Sequence, residues 1–148
     1  MLQRRSHQAR SHGIEAWGSF QALRNWRLHA GAALLRQRAE LVPGANDTRG
    51  VANLVGGNPG HWWMLRSSHD LGSQWELDLV WRGVAQRTAS AVPSYQALTL
   101  HLGWKPHPDW RLSLGLRDWN AGGHAEFGAV ATRAVFESEG YVKLEYRF

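Results

Sequence analysis

Over the final stretch of the chain, Val142, Leu144, Tyr146 and Phe148 alternate with Tyr141, Lys143, Glu145 and Arg147. Successive side chains of a β-strand point to opposite faces, so this order gives one apolar face and one almost wholly charged face. The same period of two recurs upstream. Leu98, Leu100, Leu102 and Trp104 alternate with Thr99, His101, Gly103 and Lys105, and Trp110, Leu112, Leu114 and Leu116 alternate with Arg111, Ser113, Gly115 and Arg117. Trp75, Leu77, Leu79 and Trp81 alternate with Glu76, Asp78 and Arg82, and in 61–71 Trp63 and Leu65 oppose Arg66 and Asp70. Residues 13–23 and 26–41 carry smaller apolar residues. The pattern predicts about seven strands of roughly 9 to 12 residues, the length a tilted strand needs to cross a bilayer.

Composition agrees with strands rather than packed helices. Hydrophobic residues make up 43% of the chain, including nine Trp among 148 residues with sixteen Gly, while mean hydropathy is -0.43. No run approaches the eighteen or so apolar residues of a membrane helix, so contact with lipid would be made by strands closed into a barrel. The absence of cysteine excludes disulfides, thiolate metal sites and a thiol nucleophile. The net charge is +5, but Arg and Lys are spread singly along the strands, which argues against nucleic acid as a partner. Residues 1–12 are basic with no apolar segment after them, so they are expected to form a loop rather than an export signal. Residues 13–148 are expected to form a partial transmembrane barrel, and the missing export signal suggests a fragment of a longer protein.

The connections alternate in length. Arg24-Asn25, Gly72-Ser73 and His107-Pro108-Asp109 read as tight turns, whereas 42–60, 87–94 and 121–137 read as longer, Gly-rich loops. Short turns on one edge and long loops on the other match outer-membrane barrels, with the short turns periplasmic. After each short turn comes a polar residue, Trp, a charged residue and Leu: Asn25-Trp26-Arg27-Leu28, Gln74-Trp75-Glu76-Leu77 and Asp109-Trp110-Arg111-Leu112. Indole favours the membrane boundary, being apolar with one N–H that prefers water. Trp26, Trp75, Trp104 and Trp110 are therefore the expected interface aromatics, with Phe148 at the same depth. A soluble β-sandwich burying these rings is the competing fold, but its second face would rarely be so charged.

Asn58-Pro59-Gly60-His61, Met64 to Leu71, Val92-Pro93-Ser94-Tyr95 through Leu102-Gly103-Trp104-Lys105-Pro106, His124-Ala125-Glu126-Phe127-Gly128 and the ending Tyr141 to Phe148 together resemble the C-terminal barrel region of TonB-dependent outer-membrane receptors. The likeness covers most of the chain from Gly13 onward and rests on order and spacing. One departure stands out: the family commonly shows a Gln-Asn-Leu-type end to the penultimate strand, where this chain reads Leu116-Arg117-Asp118-Trp119-Asn120. The resemblance implies an all-β antiparallel meander forming the closing third of a barrel of about 22 strands. It also implies uptake of a scarce nutrient such as an iron-siderophore complex, with the remaining strands, a plug domain and TonB as partners, in the bacterial outer membrane. Leu144, Tyr146 and Phe148 resemble the terminal signal read by the barrel-assembly machinery, through strand addition at an exposed edge.

No enzyme site, cofactor or metal is expected. The eight His lack ligand spacing on a helix or hairpin. His101 and His29 fall on faces directed to the lumen, and His61, His69, His107 and His124 fall near turns. Ser113, His101 and Glu145 lie on neighbouring inward faces and could suggest a lipid-modifying barrel hydrolase, but lumen polarity explains them more simply. Asn46-Asp47-Thr48 fits a glycosylation sequon yet reads as loop, and Gly56 to Gly60 reads as turn chemistry rather than a phosphate cradle. An outer-membrane barrel enzyme and a soluble β-sheet binding module are the two alternative function classes.

Overall fold

The computed structural model describes residues 7–46, 48–127, 130–131 and 133–148. It is all-β apart from one short helix. The strands are β1 (His7–Leu23), β2 (Trp26–Leu41), β3 (His61–Leu71), β4 (Trp75–Val84), β5 (Tyr95–His107), β6 (Trp110–Arg117) and β7 (Glu139–Tyr146). They form one seven-stranded sheet in sequence order, every neighbouring pair antiparallel. Among the described residues no ladder joins β1 to β7, so the sheet is open, as the meander reading expected.

Three of the connections are tight and three are long. Arg24-Asn25, Gly72 to Gln74 and Pro108-Asp109 close the β1–β2, β3–β4 and β5–β6 hairpins. Gly72 adopts φ +71°, a left-handed conformation that costs a side-chain-bearing residue but not glycine. The opposite edge carries 42–60, 85–94 and 118–138.

Two segments differ from the sequence expectation. The loop at 42–60 contains helix α1 (Thr48–Gly56), packed on β2 and β1. Strand β1 begins at His7, so the second half of the basic segment 1–12 is strand rather than loop. Its backbone ladder runs from His7↔Leu41 onward, and pairing with β2 supplies the hydrogen bonds that its side-chain pattern does not advertise. Residues 1–6 lie outside the described residues, as does Asp47 of the sequon.

The registers sort the side chains onto two faces. One face carries Ile14, Phe20, Leu28, Leu34, Trp63, Leu65, Leu77, Leu79, Trp81, Leu98, Leu100, Leu102, Leu112, Leu114, Val142 and Leu144, related by direct pairs such as Phe20↔Leu28, Ile14↔Leu34, Leu65↔Trp81, Leu79↔Leu100, Leu102↔Leu114 and Leu112↔Leu144. The other carries Glu15, His29, Arg66, Ser68, Asp78, Arg82, His101, Ser113, Lys143 and Glu145. Among the described residues no second layer covers the apolar face. Among the described residues the buried hydrophobic side chains are only Ala33, Val92, Ala97 and Ala125. Ile14 and Phe20 are each 66% exposed and Leu144 is 60% exposed.

Three aromatic rings lie across directly opposite glycines: Trp17 over Gly31, Trp63 over Gly83 and Tyr141 over Gly115. A missing Cβ opens the pleat, and the neighbouring ring covers the bared backbone. This is local packing within one sheet layer, which replaces an interior core.

Candidate functional site

The four sequence-predicted interface tryptophans all sit at the short-turn edge, on the apolar face. Trp75 pairs with Trp104, their rings stacked at 5.4 Å. Trp110 pairs with Tyr146 with ring centroids 4.9 Å apart. Trp26 pairs with His69, stacked at 5.6 Å, and its indole N–H donates to Ser67 Oγ at 2.9 Å. The row is staggered at β3, where Trp26 faces His69 on one side and Trp75 faces Leu71 on the other.

Of the predicted terminal signal, Leu144 and Tyr146 belong to β7, opposite Leu112 and Trp110. Phe148 lies past the strand end and is fully exposed. Arg147 still donates its backbone N–H to Asp109 O at 2.9 Å, so the ladder runs one residue past Tyr146 and leaves Phe148 free. Its ring centroid is 6.5 Å from that of Tyr146.

A second aromatic level, not anticipated from the sequence, lies toward the long-loop edge of the same face. Trp63 and Trp81 meet edge to face at 5.0 Å. Its signal was present in the alternation, since Trp81 ends the run begun by Trp75. On the opposite face Trp17 and Trp62 meet at 4.9 Å, an arrangement that needs the β1–β2–β3 register and could not be read from either residue alone.

The polar face is organised by three acidic centres. Glu76 receives Lys105 Nζ and, at 2.6 Å, Arg111 Nη2. Asp78 accepts from Arg66 Nη2 at 3.0 Å and from Ser68 Oγ, with His101 Nδ1 at 4.0 Å. Arg82 bridges Asp118 and Glu126, each at 3.0 Å. Tyr95 donates its hydroxyl to Glu126 at 2.9 Å, and the Arg82 guanidinium lies 5.6 Å from the Tyr95 ring centre. His124, 8% exposed, stacks on Tyr95 at 3.9 Å. Burial pushes the Glu126 carboxyl upward, but the hydrogen bonds from Tyr95 and His124 and the Arg82 charge outweigh it and hold the group below the ordinary carboxylate range. The network ties the 118–138 connection to β4 and β5. A cavity of about 280 Å³ lies beside it, lined in part by Tyr95, Gln96, His124 and Arg133.

Ser113, His101 and Glu145 do share the polar face, yet among the described residues no hydrogen bond joins them. His101 approaches Asp78, and Glu145 accepts from Lys143 at 2.9 Å. Ser113 lies buried, opposite Gly103 and Lys143. Among the described residues there is no group of three or more His, Asp or Glu that could hold a metal ion, and no helix is long and apolar enough to cross a membrane. No family model, curated protein or solved structure matches the chain.

Proposed function

We propose that the chain is the C-terminal barrel portion of a TonB-dependent outer-membrane receptor, taking up a scarce nutrient such as an iron-siderophore complex. It acts only together with a plug domain, further strands and TonB, and it carries no catalytic site of its own. The observation that carries this reading is the uncovered apolar face that runs from Ile14 on β1 to Leu144 on β7, backed by a face of ion pairs. Water makes such a face costly, because a soluble monomer rarely exposes a contiguous apolar patch above a few hundred Å². Hydrocarbon removes that cost, and a wet lumen solvates the acidic centres on the other side.

Dimensions support the same reading. From Trp26 to Leu34 the apolar side of β2 extends roughly 26 Å along the strand, which at a tilt of about 40° spans about 20 Å of bilayer. Strands β1 and β7 run in the same direction, being the first and last of seven in an antiparallel meander. An odd number of further strands would complete an antiparallel barrel with an even total, the usual bacterial arrangement.

In this reading the short turns face the periplasm and Leu144, Tyr146 and Phe148 present the final strand to the barrel-assembly machinery. The test is fractionation of cells that make the protein from its own locus. Recovery in the outer membrane, with gel migration that changes on heating, is the expected result. Recovery as a soluble monomer would overturn it.

A further inference from the structure

Strands β1 and β2 continue past the rest of the sheet at the long-loop edge. The β2–β3 ladder ends at Leu34↔His61, but β1 and β2 remain paired out to His7↔Leu41. In this extension the face that carries Ile14 and Leu34 changes character abruptly. The next pairs on it are His12↔Arg36, Arg10↔Arg38 and Gln8↔Glu40.

Directly opposed like charges on one sheet face repel, since paired Cβ atoms are only about 5 Å apart. Arg10 and Arg38 are such a pair, and Arg36 stands one pair below. All three are exposed. Among the described residues none of the three forms an ion pair with a carboxylate. The one acid on this patch, Glu40, leaves two of the three arginine charges uncompensated. Gln8, Arg10, His12, Arg38 and Glu40 line a depression of about 430 Å³.

The height of the patch gives it a meaning. His12 and Arg36 stand two residues above Ile14 and Leu34, roughly 7 Å along the strand. That is the step from the edge of the hydrocarbon to the headgroup layer. Resting on the membrane reading above, we infer that Arg10, Arg36 and Arg38, with His12, form a binding site for the phosphorylated headgroup of an anionic lipid in the outer leaflet. The guanidinium fork matches phosphate oxygens bidentately. A bound phosphate would also relieve the Arg10–Arg38 repulsion that the protein leaves unbalanced. Gln8 and the His12 ring add hydrogen-bonding groups at the rim.

The experiment dilutes the full chain from urea onto preformed vesicles, either wholly phosphatidylcholine or phosphatidylcholine doped with phosphatidic acid, and measures the bound fraction by flotation. The wild-type chain should bind both and bind the doped vesicles more tightly. Attraction to an anionic surface gives about a fivefold gain per arginine, so Arg10→Gln, Arg36→Gln and Arg38→Gln together should remove on the order of a hundredfold of that preference. Binding to the neutral vesicles should not change, which also shows that the triple variant still inserts its apolar face. Replacing the same three residues by Lys should restore only part of the preference, because an ammonium keeps the charge but lacks the bidentate fork. Soluble inorganic phosphate should compete only weakly, because the lipid is held by its chains as well.

Equal wild-type affinity for the two vesicle types would overturn the headgroup site while leaving the membrane reading intact. A doped-vesicle preference that survives the triple Gln substitution would overturn it as well. Failure to bind either vesicle would overturn the membrane reading and the site together. Full competition by inorganic phosphate would reassign the patch to a free anion.

Discussion

The Trp63 indole lies across Gly83 on the neighbouring strand, so that a Cβ on Gly83 would stand 2.5 Å from the ring. At Gly18, on the same face, a Cβ would meet nothing within 4 Å. Two glycines in strand interiors therefore have opposite reasons to be there. The first makes room for a ring, and the second leaves a gap.

Gly83→Ala should force Trp63 off its site and destabilise the assembled sheet by about 1–3 kcal/mol, the usual cost of overpacking. Gly18→Ala should change stability by less than about 0.5 kcal/mol or raise it slightly, since alanine restricts the unfolded chain. Urea midpoints of the membrane-assembled protein, followed by heat-sensitive gel migration, give the comparison. Equal effects at the two positions would refute the ring-over-glycine account.

Trp110 and Tyr146 hold the last strand at its short-turn end, with Phe148 free beyond them. Tyr146→Ala should lower both stability and folded yield, the ring pair alone accounting for about 0.5–1.5 kcal/mol. Deleting Phe148 should lower folded yield in cells with little change in the urea midpoint of whatever folds. An unchanged yield would remove Phe148 from the proposed assembly signal, and a matched loss of stability would make it a packing residue instead.

The alternation of apolar and polar residues made the strands, their order of turns and the shared short-turn edge of Trp26, Trp75, Trp104 and Trp110 legible in the sequence. Where alternation failed, so did the reading. Gln8, Arg10 and His12 are polar on the phase where Ile14 and Phe20 are apolar, so β1 was expected to begin at Gly13. Helix α1 is only nine residues long and ends at Gly56, too short for a helical period to stand out among turn residues. The Arg82–Asp118–Glu126 network joins residues 36 and 44 positions apart in sequence. Such ion pairs exist only because the β5–β6 register brings the 118–138 connection back over β4, and no local pattern encodes that.

Acid should loosen this connection first. The Glu126 carboxyl titrates below its ordinary value because Tyr95, His124 and Arg82 favour its charged form. A group with a depressed folded-state pKa stabilises fully above the unfolded carboxylate value, and that contribution fades as pH falls through the lowered one. Protease cleavage within 118–138 should therefore rise on acidification below the normal carboxylate range, well before the strands release. Glu126→Gln should raise cleavage at neutral pH and flatten the acid response. A Glu126→Gln profile identical to wild type would contradict the role assigned to this carboxylate.

Removed from lipid and from partner strands, the chain should not survive as a monomer. Among the described residues its apolar face is uncovered and the outer edges of β1 and β7 have no strand partner, which favours edge-to-edge association. Light scattering after dilution from urea into detergent-free buffer should rise promptly. A heat-resistant, protease-resistant soluble monomer would show that another layer covers the face.

The alternation itself can be read directly, because the chain contains no cysteine and single thiols can be placed along β5. In outer-membrane preparations, Leu98→Cys, Leu100→Cys and Leu102→Cys should resist a charged maleimide and, once labelled with a fluorophore, be quenched by nitroxide lipids. Thr99→Cys and His101→Cys should react with the charged reagent and escape quenching. Equal labelling on both phases, or protection of the leucine positions without any lipid quenching, would contradict a sheet with hydrocarbon on one face and water on the other.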